Sequence, residues 1–207
     1  MKRPLIVALI ALPLLLVGCS TIIGKREPVK VFVPQLTRGT HDDWPRVDWS
    51  LTVPRPNTSQ SLDSERISVR PDATYTQVYK GAIWSDSVPD LVQSALLHKL
   101  EDSGKILAVS RPGNGIRGEY QLATELRSFE SIYHQAGAPE ATIEIEAKLI
   151  HGDDARVVAA RNFRSTQLAA SEDVSAVVAA FSQALDRSSD DIAAWALVSG
   201  QGDAVKK

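Results

Sequence analysis

The sequence of this 207-residue chain predicts an α+β fold, a twisted and mainly antiparallel sheet with two helices packed on one face. Two segments, 88–100 and 174–196, place apolar residues three and four apart, as the buried stripe of a helix requires. Stretches within 119–133, 142–150 and 157–166 alternate apolar with polar residues, as strands with one wet face do. The order strands, helix, strands, helix is an α+β plan. It leaves an internal duplication open, although the two halves share no identity that would establish one.

The chain begins with Met1-Lys2-Arg3, then an apolar run from Leu5 to Val17 interrupted only by Pro13. A positive head followed by a short apolar run is a secretory signal peptide, residues 1–18, too short to span a bilayer comfortably. Leu16-Val17-Gly18-Cys19 closes it, and Cys19 is the sole cysteine. The tetrapeptide resembles a bacterial lipobox, which implies cleavage before Cys19 and a covalent lipid on it, with palmitate among the acyl chains. Each buried CH₂ adds about 0.8 kcal/mol, so several chains make such an anchor effectively permanent. Ser20 stands where the sorting pattern of Gram-negative lipoproteins would put an aspartate for inner-membrane retention. The resemblance thus implies the periplasmic face of the outer membrane.

Removing residues 1–18 leaves 189, one domain's worth, with a formal charge of about −4 carried in both signs. Nothing in that balance favours nucleic acid. With Cys19 taken by lipid no disulfide is available, so the fold rests on its core. No second apolar run approaches membrane-spanning length.

Residues 19–46 read as anchor and tether, because Pro28, Pro34 and Pro45 with Gly24 and Gly39 make an extended, semi-stiff segment. Val29, Val31 and Val33 alternate within it and admit a short edge strand. The domain proper is expected over 47–200. Trp49, Leu51 and Val53 share one face of a first strand, a Pro- and Ser-rich loop fills 54–64, and 66–70 and 75–79 are two further short strands.

Ser87-Val88-Pro89-Asp90 has the composition of a helix start, and Val88, Leu91, Val92, Ala95, Leu96 and Leu100 form the stripe that Gly104 ends. A strand is expected at 105–109 and a loop at 110–118. The three long strands follow, with His151-Gly152-Asp153-Asp154 as a hairpin connection. The last helix starts after Ser171-Glu172-Asp173 and is expected to stop at Gly200, with 201–207 a frayed tail.

Few residues point to chemistry. Gly113-Asn114-Gly115-Ile116-Arg117-Gly118 spells a dinucleotide fingerprint, but it leads into an alternating strand rather than a helix, so no nucleotide site is expected. His41, His98, His134 and His151 fall at no metal-ligand spacing. His151 with Asp153 and Asp154 reads as a solvated turn, Glu144 and Glu146 with Lys148 as a mixed solvated face, and no Gly-x-Ser-x-Gly elbow occurs. No enzyme, metal or cofactor is expected beyond the lipid on Cys19. Trp84, just before a helix cap, reads as core with a partner-binding role as the alternative.

The lipobox, Arg66-Ile67 in the second strand, the Tyr79 to Trp84 stretch ahead of the helix, Tyr120, Leu122, Phe129, Arg161, Phe163 and an alanine-rich last helix with Trp195 together resemble the ABC-type transport auxiliary lipoproteins. The paraquat-inducible protein C type lipoproteins are among these, and the resemblance covers about residues 47–199. It implies a non-enzymatic outer-membrane lipoprotein that works with mammalian-cell-entry (MCE) domain proteins and an ABC transporter in moving lipid between membranes, with a homo-oligomeric ring as a further expectation. Trp84, Arg66 and Tyr79 are the expected partner-binding residues. The alternatives are a periplasmic lipid-binding carrier and a lipoprotein of outer-membrane assembly.

Overall fold

The computed structural model describes residues 28–38, 41–115, 117–134 and 137–205. The signal peptide and Cys19 lie outside the described residues. In chain order the elements are β1 (Lys30–Phe32), β2 (Ser50–Thr52), β3 (Asn57–Thr58), β4 (Arg66–Asp72), β5 (Tyr75–Trp84), α1 (Val88–Ser103), β6 (Ala108–Ser110), β7 (Tyr120–Ile132), β8 (Glu140–His151), β9 (Val157–Leu168) and α2 (Val174–Ala204).

The sheet is organised on β7. Along one edge β7 pairs antiparallel with β8 from Tyr120↔His151 to Ile132↔Glu140. Its other edge is shared by three short parallel strands in succession: β2 at Tyr120, β3 at Glu125 and β4 at Ser131. The long ladders β7–β8, β8–β9 and β4–β5 are antiparallel, and the short pairs, including β1–β5 and β2–β6, are parallel. The strand order β1-β5-β4-β7-β2-β6 branches at β7 to β8 and β9, so the sheet stays open. This is the expected α+β sheet, with parallel pairs that periodicity could not reveal.

Alternation decides which face is buried. Ala141, Ile143, Ile145, Ala147 and Leu149 of β8, with Leu122, Leu126 and Phe129 of β7, are at most 2% exposed. Each of the leucine, isoleucine and phenylalanine side chains among them contributes about 1.5–3 kcal/mol of burial. α2 packs against β7, β8 and β9 and also against α1. A bulge between Leu126 and Ser128 keeps Phe129 in phase with Ile143 and the core face. The outer face carries Glu144 with Arg164 and Asn162, and Glu146 with Arg127 and Lys148, which is the mixed charged face expected.

α1 starts where its composition indicated, with Ser87 at the N-cap and proline in the first turn. The Ser87 hydroxyl makes no capping bond. It turns instead to the Asp90 carboxylate and to Arg55, which also binds Asp63. At the other end Gly104 adopts the left-handed conformation, φ 60°, that closes a helix. Residues 111–115 and 117–118 are turns and irregular chain ahead of β7, so among the described residues there is no helix here for a pyrophosphate to meet.

Gly200 does not stop α2. It is where Trp49 crosses the helix: a Cβ on Gly200 would lie 2.4 Å from the Trp49 ring, and Trp49 is held edge-on to Tyr120 at 4.8 Å. The glycine serves a close approach rather than a cap. Nor is the stretch after it a loose tail. The helix runs to Ala204, and Asp203 accepts hydrogen bonds from the Tyr120 hydroxyl at 3.1 Å and from both Arg156 terminal nitrogens at 3.0 and 3.1 Å.

Gly200→Ala is expected to destabilise the fold by about 1–3 kcal/mol, since overpacking against a fixed indole exceeds the roughly 0.5–1 kcal/mol a helical alanine gains. Urea midpoints of the two proteins measure it, and a more stable variant would contradict the close-approach reading.

Candidate functional site

The three residues expected to meet a partner have different fates. Trp84 is 1% exposed and forms an aromatic core cluster, 5.8 Å edge-on to Phe129 and 5.4 Å edge-on to Phe181, which themselves stack at 4.8 Å. It is therefore core and not a docking surface, because β5 turns it under the helices just before α1 begins. Tyr79 is half-buried, and its hydroxyl lies 3.0 Å from the Ser131 hydroxyl. Burial pushes its pKa up to about 12, the Ser131 contact opposing. Arg66 alone is exposed, at the start of β4 in register with Ile83.

The tether also needs correction. Its composition is that of a linker, yet its described residues 30–38 and 41–46 are part of the domain. β1 joins the sheet beside β5, and residues 33–38 run as a strap across α1 and α2. The Gln35 amide donates to the Ser182 hydroxyl at 3.1 Å, and the Thr37 amide and hydroxyl donate to Asp186 at 2.9 and 2.5 Å. From α1, Lys99 reaches up to the same point. Its ammonium donates to the Thr37 carbonyl at 2.9 Å and pairs with Asp186 at 2.7 Å and Asp190 at 2.9 Å. Further along, His41 stacks on Trp44 at 3.7 Å with its Nε2 3.4 Å from Asp190.

Electrostatics make this clasp firm. The Lys99 side chain is only 4% exposed. Burial by itself would lower its pKa, but the hydrogen bonds to Asp186 and Asp190 outweigh burial and raise it. Burial likewise works to raise Asp186, and is outweighed by the bonds from Lys99 and Thr37 that hold it below the usual carboxylate range. Clefts of about 480 and 230 Å³ remain beside the strap; Arg38, His98 and Asp102 line the first, and Leu91, Ala95 and Leu185 the second.

Periodicity had passed over this cluster. The available signal was a lysine on the apolar stripe of α1, four residues after Ala95 and three after Leu96, together with Asp186 and Asp190 spaced i,i+4.

The second polar cluster closes the far end of the sheet. Tyr120, held by burial and by its bond to Asp203, has its pKa pushed up to about 12. His151 lies edge-on to it at 5.3 Å, with Nδ1 3.2 Å from Asp154. His151 is 6% exposed, so the solvated turn expected there is instead a buried histidine at a strand end. Among the described residues no group of histidine, cysteine, aspartate or glutamate is arranged to hold a metal. Nor is any described helix long and apolar enough to cross a membrane.

The described residues form one open sheet with two helices clasped to one face and a strap from the N-terminal side lying across both helices. The chain belongs to the family described as ABC-type transport auxiliary lipoprotein component, whose pattern matches residues 33–193. That match begins inside the strap, in agreement with its place in the domain.

Protein XCC0632 from Xanthomonas campestris has a crystal structure 40% identical to this chain, with a TM-score of 0.80 over 84% of this chain and 99% of that one. The hypothetical protein CT253 from Chlamydia trachomatis, 10% identical with a TM-score of 0.54, covers 74% of this chain and 97% of its own and shares the fold alone. The uncharacterized protein bll6063 of Bradyrhizobium diazoefficiens is 26% identical over 149 residues, 72% of this chain, which spans 40% of that relative's length.

Proposed function

We propose that this protein is an outer-membrane lipoprotein, anchored through lipid on Cys19 and facing the periplasm. In this reading it is a non-enzymatic auxiliary component that docks an MCE-domain conduit and its ABC transporter for lipid movement between the membranes. The family match over residues 33–193 carries the proposal. The Leu16-Val17-Gly18-Cys19 lipobox and Ser20 support the anchor and its membrane.

In-cell crosslinking of the full-length lipoprotein, with mass spectrometry of the adducts, tests the partner. Recovery of an MCE-domain protein is expected, and recovery of only itself, or of outer-membrane assembly or cell-wall proteins, overturns the docking role. The anchor has its own test. Cys19→Ala is expected to abolish palmitate incorporation and to remove the protein from the outer-membrane band of a sucrose gradient, and persistence of either would refute it.

A further inference from the structure

Val29, Val31 and Val33 are 54%, 60% and 56% exposed. As alternate residues of one extended segment they share a face. The row does not end with them. Val31 is in register with Ile83 on β5 and Ile83 with Arg66 on β4, so the same face continues into a half-buried isoleucine and an exposed arginine. Lys30, Arg66 and Lys80 are exposed and form no ion pair among the described residues. The neighbouring acids, Glu65 and Asp86, sit at the Trp84 end, where the Asp86 carboxylate accepts a bond from Ser85. Lys25 and Arg26, with Glu27, precede the strand in sequence and add to its positive balance.

Two features say what covers this face. The first is reach: Val29 lies ten positions after Cys19, at most about 35 Å of fully extended chain. With Cys19 in a bilayer, β1 is the described element nearest the anchor along the chain, so its contact with that bilayer is intramolecular. The second is the edge itself. Pro28 and Pro34 bracket β1, whose ladder spans only Lys30 to Phe32, so a strand from another chain finds little backbone to pair with. What this face presents is an apolar row with the Arg66 cation beside it and Lys30 projecting from the other side of β1, a combination that settles at an anionic bilayer surface when a lipid chain supplies the first attachment.

We propose that the Val29–Val31–Val33 face of β1, with Arg66 beside it, rests on the headgroup region of the bilayer that holds the anchor. The domain then lies against the membrane by its β1 edge instead of standing off from it. The inference rests on the lipid anchor at Cys19.

With Cys19 modified, Val31→Cys provides a unique labelling site in the full-length lipoprotein. The labelled protein, carrying a bimane at that position, is reconstituted into phosphatidylethanolamine–phosphatidylglycerol vesicles with brominated acyl chains, and Leu168→Cys on β9, at the opposite end of the sheet, is the control. Quenching about two-fold or more stronger at position 31 than at 168 is expected for a face seated on lipid. Equal quenching at the two sites, none at 31, or disulfide-linked dimers through position 31 overturn the proposal, the last by making the edge a contact between copies. Flotation separates the two readings. Protein that does not float with vesicles refutes the anchor, whereas floating protein without quenching at 31 refutes the docking alone.

Discussion

Trp84→Ala is expected to cost about 4 kcal/mol of stability, the range for emptying a large aromatic from a core. Trp84 is 1% exposed and wedged edge-on against both Phe129 and Phe181, which come from β7 and α2, so no neighbour can close over the void without breaking the stacked phenylalanine pair. For a domain of this size the melting temperature should fall by roughly 8–16 °C. Trp84→Phe should cost less than half as much, because it keeps a ring in the cluster and discards an indole N–H that finds no acceptor among the described residues. Arg66→Ala, at an exposed position with no ion pair among the described residues, should change stability by no more than about 0.5 kcal/mol. The three variants tell a folding residue from a binding one. A Trp84→Ala protein that melted as the parent does would put the tryptophan on the surface.

Lys99→Met is expected to destabilise by about 3 kcal/mol, near the lower end for breaking a buried ion pair, since Asp186 and Asp190 keep 16% and 31% side-chain exposure and regain some water. The change leaves two carboxylates facing each other and the Thr37 carbonyl without its donor. It also predicts a pH signature. Asp186 titrates below its ordinary value in the fold, so its contribution is full above that value and is lost as pH falls through the lowered one. Lys99 titrates above its ordinary value, so its contribution is full below that value and is lost as pH rises through the raised one. The parent and Lys99→Met should therefore differ most across the neutral plateau and converge in acid. A difference that stayed constant down to pH 2 would show that the lysine acts through packing rather than charge.

The strap makes this ion pair more than a stabiliser. Residues 33–38 follow β1 directly and are bonded to both helices, so the Lys99 clasp ties the N-terminal strand of the sheet to α1 and α2. The proline-rich composition concealed this role. Prolines at 28, 34 and 45 describe an extended backbone, and an extended backbone serves a linker and a docked strap equally well.

Local pattern determined most of what the sequence could tell about this protein. The 3.6-residue stripe marked α1 and α2, the two-residue alternation marked β7, β8 and β9, and Ser87, Pro89 and Gly104 marked the ends of α1. The family was legible from the order of short motifs strung between Arg66 and Trp195. Tertiary structure alone decided the rest, because each remaining feature depends on residues far apart in sequence. Gly200 has the composition of a stop, and only the Trp49 ring laid across it shows that it is a crossing. Lys99 reads as one polar break in an apolar stripe until Thr37 arrives from the strap and Asp186 and Asp190 from α2, Thr37 and Asp186 being 149 residues apart. Trp84 remained open between core and surface until β5 was seen to turn beneath the helices. Short-range propensity and spacing act within a few residues, whereas burial, ion pairing and close approach are properties of what the folded chain brings together.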